Sequence, residues 1–267
     1  MNLSPRSKAL RRDIVGILEA SRKGHIGAAL STVEVLQVLF DSFLRFRPNQ
    51  PDWADRDRFI LSKGHGCLTL YVMLADKGFF PKEELLTFGA PDSRLGGHPE
   101  WGKLPGVEAT TGALGHGLSI GVGMALAAKM RQQDYRVVVL TGDGEINEGS
   151  VWEAAMSAAK HKLANLTVMV DYNKLQSYGP TSEVLNLDPL ADKWRSFGFA
   201  VEEVDGHDVA ALQNLCARLP LDATKPTAII CHTIKGKGLP FAEGVAEWHH
   251  KSGLTAQDIA TMYACLN

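Results

Sequence analysis

The sequence predicts an α/β fold, a parallel sheet covered by helices on both faces. Three observations carry that prediction. Short apolar runs such as Val137-Val138-Val139-Leu140 read as strands buried on both sides. Segments with helical apolar spacing separate those runs. Gly-Asp-Gly at 142–144 and Asp-Tyr-Asn at 171–173 follow strand ends, where open α/β sheets hold ligands.

The elements follow in order. Ser4 to Ala20 reads as a helix with Pro5 in its first turn. Ser31 and Glu34 have the spacing of a capping box before a helix carrying Val35, Leu36, Leu39, Phe40 and Phe43. Asn49 to Asp57 is polar and reads as a loop, and Phe59-Ile60-Leu61 as a short strand. Gly78 to Thr111 is rich in Gly and Pro, with room for one short helix near Lys82 to Thr87. Phe79, Phe80, Phe88, Leu95 and Trp101 within it would be costly to expose, so an ordered functional loop is expected. A strand ending at Gly-Asp-Gly precedes a helix in which Trp152, Ala155, Met156 and Ala159 repeat at helical spacing. Asn165 to Asn173 and Phe199 to Val204 read as strands, His207-Asp208 starts a helix through Leu219, and Thr227 to Thr233 is a further strand. Thr255 with Asp258 caps a final helix. No repeat or linker interrupts the chain, so residues 1–267 are expected to form a single domain.

Composition narrows the functional classes. Lys plus Arg number 28 against 30 Asp plus Glu, so no global field attracts nucleic acid or an anionic membrane. No apolar run is long enough to span a bilayer, and the first residues lack a secretory h-region, so a cytoplasmic protein is expected. Cys67, Cys216, Cys231 and Cys265 have no CxxC spacing, and their apolar neighbours favour buried thiols over metal ligands or a disulfide scaffold.

Gly142 and Gly144 allow close approach of backbone to a ligand, and the helix that follows offers its positive end to an anion. A diphosphate needs a divalent counter-ion, and a hard ion takes oxygen ligands. Asp143 can supply a carboxylate, Asn173 an amide oxygen and Leu175 a backbone carbonyl. Glu145 stands in the same turn. Gly-Asp-Gly alone is a common turn; its pairing with an asparagine thirty residues later is more specific. Neither GxxxxGK[ST] nor GxGxxG occurs, which leaves a nucleotide site without support.

Three histidines, His25, His65 and His98, each lie beside glycine outside helix interiors, where imidazole can donate to phosphate or move a proton. Thr111 to Gly117 forms a glycine loop, and Trp248-His249-His250 lies near the C-terminus.

Together these motifs resemble the amino-terminal, thiamine diphosphate-binding half of transketolases, along essentially the whole chain. The resemblance implies the diphosphate-binding type of α/β domain, with thiamine diphosphate and Mg2+ (or Ca2+ or Mn2+) held by Asp143, Asn173 and Leu175. It implies that His25 lies near the sugar, that His65 serves cofactor phosphate and reaction centre, and that His98 contacts donor hydroxyls. It places Gly112, Gly115, Gly142, Gly144 and Glu145 around the diphosphate, Leu114 or Leu118 on the cofactor rings, and Glu148 in a carboxylate link between active sites. His249 is the expected cofactor and substrate contact, although His250 replaces a usual glycine and leaves the choice between the two open.

The implied reaction transfers a two-carbon ketol unit from a ketose phosphate to an aldose phosphate, as in the pentose phosphate pathway. The pyrimidine-binding and C-terminal domains do not fit in this length, which implies an α2β2 assembly with a C-terminal partner subunit. Three alternatives stay open: a specialised transketolase for a branched, deoxy or sulfonated sugar phosphate, the thiamine-binding subunit of a 2-oxo acid dehydrogenase, or a noncatalytic interaction protein.

Overall fold

A computed structural model describes residues 3–267; Met1 and Asn2, the first residues of the 1–267 span, lie outside the described residues. Helix α1 (Pro5–Ser21) starts as read, with Pro5 in the first turn and the Ser4 hydroxyl accepting from the Ser7 N–H. Strand β1 is only Lys23–Gly24, followed by α2 (Ile26–Leu30) and α3 (Val33–Val38), which runs on as a π turn through Phe43. Next come β2 (Arg58–Leu61), α4 (Cys67–Asp76), a 3₁₀ turn at Lys82–Thr87 and α5 (Gly117–Met130). The alternating second half is β3 (Val137–Gly142), α6 (Gly149–Lys160), β4 (Leu166–Tyr172), α7 (Thr181–Val184), α8 (Leu190–Ser196), β5 (Ala200–Asp205), α9 (Val209–Cys216) and β6 (Thr227–His232). Strand β7 (Lys251–Ser252) and α10 (Ala256–Cys265) close the chain, α10 with the expected Thr255/Asp258 capping box.

The main sheet has the order β2-β3-β4-β6-β5 and is parallel throughout. Alternation along each strand divides the core in two. Val138, Leu140, Met169 and Ile229 pack on the side of α1, α3, α4 and α9, whereas Val137, Val139, Val168 and Ile230 pack on the side of α5, α6 and α8. Gly142 pairs with Asp171 and Asp171 with Cys231, so β3, β4 and β6 reach the carboxyl edge together. Asp143, Asn173 and Thr233 therefore emerge side by side.

Four local expectations are corrected. Ser31 does not cap α3: its hydroxyl bonds the Ala28 carbonyl and Asp171, while Glu34 pairs with buried Arg11 and with His207. Trp101 is 70% exposed, whereas Phe79, Phe80, Phe88 and Leu95 are buried as expected. Met156 is 55% exposed, because the core stripe of α6 runs through Val151, Ala154, Ala155 and Ala158. The helix after Asp208 stops at Cys216, ahead of Pro220. Cys67, Cys216 and Cys231 are buried free thiols, Cys265 is a partly buried one, and no helix among the described residues is long and apolar enough to cross a membrane.

Candidate functional site

The carboxyl edge of β3 and β4 brings the Asp143 carboxylate against the Asn173–Leu175 segment. The Asp143 carboxylate accepts from the backbone N–H of Gly144 at 2.7 Å and of Lys174 at 2.5 Å, so the turn after β3 is tied to the residue beside Asn173. Asn173 Oδ1 accepts from the Leu175 N–H at 3.1 Å, which curls the loop into an Asx turn. The Leu175 carbonyl accepts from Lys235 Nζ at 2.6 Å. Burial, and then the neighbouring charge of Asp171, push the Asp143 carboxyl up to about 6. Burial and the nearby Lys63 lower Lys235 to about 8.

Glycines let the surrounding loops close on this edge. A side chain at Gly64 would strike the backbone of Thr111 and Gly112 at 2.8 Å, and one at Gly117 would strike Ser62. Gly115, at φ 83°, lies under Glu148, whose Cβ would be 2.6 Å from an added carbon. Gly144 is covered by the Gln176 side chain, and Gly27 by Lys235. The motif loops thus form one continuous wall.

Four histidines stand around a fifth. The His25 ring lies 5.6 Å from His65, 5.8 Å from His98, 5.6 Å from His249 and 4.5 Å from His250, centroid to centroid. His249 is also 5.5 Å from His65, and its Nδ1 is buried with no hydrogen-bond partner among the described residues. His250 is exposed and stands at the rim. The two-residue antiparallel ladder of β1 with β7 joins these distant segments, pairing Gly24 with Lys251. Burial lowers the His25 imidazole to about 4 and His249 to about 3, with nearby His250 adding to the first and Lys235 to the second. His65 is held well below its usual range by burial and by Lys63, and His98 is lowered by burial. At neutral pH these four rings are uncharged, each able to donate at one nitrogen and accept at the other.

Two residues expected at the cofactor have partners within the chain. Leu118 is completely buried in the core of α5, which leaves Leu114, half-buried, as the leucine of that loop open to a ligand. Both oxygens of Glu145 are occupied by Ser62 Oγ and by the N–H groups of Gly115 and Gly142. Glu145 therefore staples three loops, and a carboxylate there would repel a diphosphate. Glu148 is exposed beside Gly115.

Sequence reasoning missed Lys63, Asp171 and Lys235, all buried here. Their signal was a charge adjoining glycine after a strand, or a charge closing an apolar one. The donor set of carboxylate, amide and carbonyl oxygens suits a hard divalent ion, which would relieve the crowding of Asp143 against Asp171. The Lys235 ammonium already rests on the Leu175 carbonyl, and the buried His249 Nδ1 has no hydrogen-bond partner among the described residues. These observations fit a metal-held diphosphate.

Residues 5–266 match the family described as "Transketolase, thiamine diphosphate binding domain". The chain is 45% identical over 248 residues to one of the subunits of the apulose-4-phosphate transketolase of Phocaeicola vulgatus, covering 93% of this chain and 88% of that one. It is 43% identical over 227 residues to 6-deoxy-6-sulfo-D-fructose transketolase subunit SqwG of a Clostridium, covering 85% and 82%. A transketolase structure from Pichia stipitis in complex with sedoheptulose-7-phosphate superposes with a TM-score of 0.90 at 33% identity, covering 96% of this chain and 39% of that one.

Proposed function

The chain belongs to the transketolase family, as its thiamine diphosphate-binding domain, and from that premise we propose that it is the amino-terminal subunit of a two-polypeptide transketolase specialised for an unusual ketose phosphate. The observation that carries the catalytic reading is the cluster of His25, His65, His98 and His249, joined through Lys235 beside Gly27 to the Leu175 carbonyl in the loop that Asp143 and Asn173 brace. The specialised donor rests on the relatives, two of which are subunits named for apulose-4-phosphate and 6-deoxy-6-sulfo-D-fructose. The general pentose phosphate reading ranks second. Residues 1–267 act in this reading as one domain.

Asp143, Asn173 and the Leu175 carbonyl hold Mg2+, and His65 and His249, beside the buried Lys63 and Lys235, receive the diphosphate. When bound, thiamine diphosphate supplies the electron sink for cleaving the bond beside a ketose carbonyl. His98 and His25 grip donor hydroxyls from the open side. As neutral rings, His25, His65 and His249 can donate to and accept from hydroxyl and phosphate oxygens, and the negative charge of a bound diphosphate would raise their values toward those of a general base. Lys63 and Lys235 hold positive charge near the anion. Glu148, exposed at the start of α6, is placed to meet another subunit. The partner subunit supplies the pyrimidine-binding side.

The test is reconstitution. The chain, a candidate C-terminal subunit, thiamine diphosphate and Mg2+ are combined, and ketol transfer is measured from xylulose-5-phosphate, a branched pentulose phosphate and a sulfonated ketose. We expect no turnover by the isolated chain, turnover with the partner, and preference for a substituted donor. Equal or better use of xylulose-5-phosphate would return the protein to the general pathway. Turnover only with 2-oxo acids would replace the reading altogether.

A further inference from the structure

Asp171 lies near the end of β4 with its side chain wholly buried, the one charged residue of that strand. Its carboxylate gathers donors from four separate segments. Oδ2 accepts from Ser31 Oγ at 2.7 Å, from Asn173 Nδ2 at 2.9 Å and from Lys63 Nζ; Oδ1 accepts from Thr233 Oγ1. Lys63 Nζ also donates to the Ala28 carbonyl at 3.0 Å. Every one of the partners of Asp171 is a donor, one of them an ammonium, so both its oxygens are held as acceptors.

This ring of donors dictates how the neighbouring amide sits. The two ends of an asparagine amide are nearly identical in shape, so only its partners decide which end points where. Oδ2 already accepts from the Lys63 ammonium and from Ser31, so it is the amide NH2 of Asn173 that faces Asp171. The oxygen is thereby turned to the opposite side, where it takes the Leu175 N–H and keeps a second lone pair free. We propose that Asp171 is a positioning residue: it orients the Asn173 amide so that Oδ1 is presented to the divalent ion, and it fastens that loop to Lys63, Ser31 and Thr233. This rests on the reading of Asn173 as a metal ligand.

A swap distinguishes this role from simple structural support. In an Asp171→Asn chain the carboxylate that fixes the amide is lost. In the double variant Asp171→Asn/Asn173→Asp the ligand is a carboxylate, whose two ends are equivalent, so orientation no longer matters and the local charge is kept. Asp57→Asn is the control, because Asp57 is a buried carboxylate paired with Arg45 and Arg136 before β2, at the opposite edge of the sheet.

Binding of magnesium pyrophosphate and magnesium thiamine diphosphate to the full chain is followed by calorimetry, with melting temperature recorded for each variant. We expect Asp171→Asn to weaken both ligands more than about tenfold, Asp57→Asn to melt earlier with affinity within about threefold of wild type, and the swap to recover to within about threefold. Unchanged affinity in Asp171→Asn, or a folded swap no better than it, overturns the proposal. If Asp171→Asn does not fold, the swap alone decides by the same threshold; if neither folds, the role is structural and the proposal falls. A wild-type chain that binds neither ligand instead removes the metal-site reading itself.

Discussion

Asp143 has a second buried carboxylate beside it, and this placement controls how it titrates. Its carboxyl, raised to about 6, must lose a proton before it can serve a cation. Magnesium affinity should therefore fall as pH drops below about 6, by about tenfold per unit, and level off above it. An Asp143→Ala chain should bind metal and thiamine diphosphate more than about tenfold more weakly at neutral pH and lose that pH dependence. Equal cofactor affinity in a calorimetric titration would remove Asp143 from the site. The histidines act in the other direction. With folded values of about 4 for His25 and about 3 for His249, the unfolded chain takes up protons first as pH falls from 6.5. Stability contributed by keeping these rings neutral is present above 6.5 and lost on acidification. Raised Asp143 and Glu108 oppose that trend, so the comparison must be with a variant. His25→Asn should show a smaller fall in melting temperature between pH 6.5 and 4 than the wild-type chain.

At the scale of elements, strands and motifs were legible for a physical reason. Gly142-Asp143-Gly144 and Asp171-Tyr172-Asn173 end adjacent parallel strands, and parallel register carries them to the same edge. The histidine motifs were legible as residues but not as a cluster. Nothing in the local pattern of Lys23-Gly24 or Lys251-Ser252 announces a two-residue ladder across the chain, because two residues carry no periodicity. Ser31 looked like a cap because spacing alone is blind to Asp171, 140 positions away. Leu118 and Met156 changed places with expectation through helix rotation: which face a helix buries depends on the neighbour it meets. The glycine loops yield a sharper test. Gly112 has φ 135°, and an added carbon would meet the His98 ring at 2.9 Å. Gly112→Ala should cost about 1–3 kcal/mol of stability and, by displacing His98, raise the KM for the ketose donor in the reconstituted enzyme more than it changes affinity for magnesium pyrophosphate. A donor KM equal to wild type would show that His98 does not grip the sugar.

At the scale of the molecule, the site is a wall with one open side. His98, His250 and Glu148 are exposed around it, while Lys63, Asp171 and Glu145 form its buried back. A bound cofactor would be anchored through its diphosphate and unsupported beyond it. Binding of a ligand to the native state raises stability by RT ln(1 + [L]/Kd), about 2.7 kcal/mol at a concentration one hundred times Kd. In the isolated chain, magnesium and thiamine diphosphate together should thus raise the melting temperature more than either alone, since each completes the other's coordination. The shift should be nearly matched by magnesium pyrophosphate, because the anchoring groups here face only the charged tail. Adding the partner subunit should then separate the two ligands, tightening thiamine diphosphate while leaving pyrophosphate nearly as it was. If the isolated chain already prefers thiamine diphosphate by more than about tenfold over pyrophosphate, a difference of about 1.4 kcal/mol, it carries its own ring-binding surface, and the division of labour between two polypeptides would have to be redrawn.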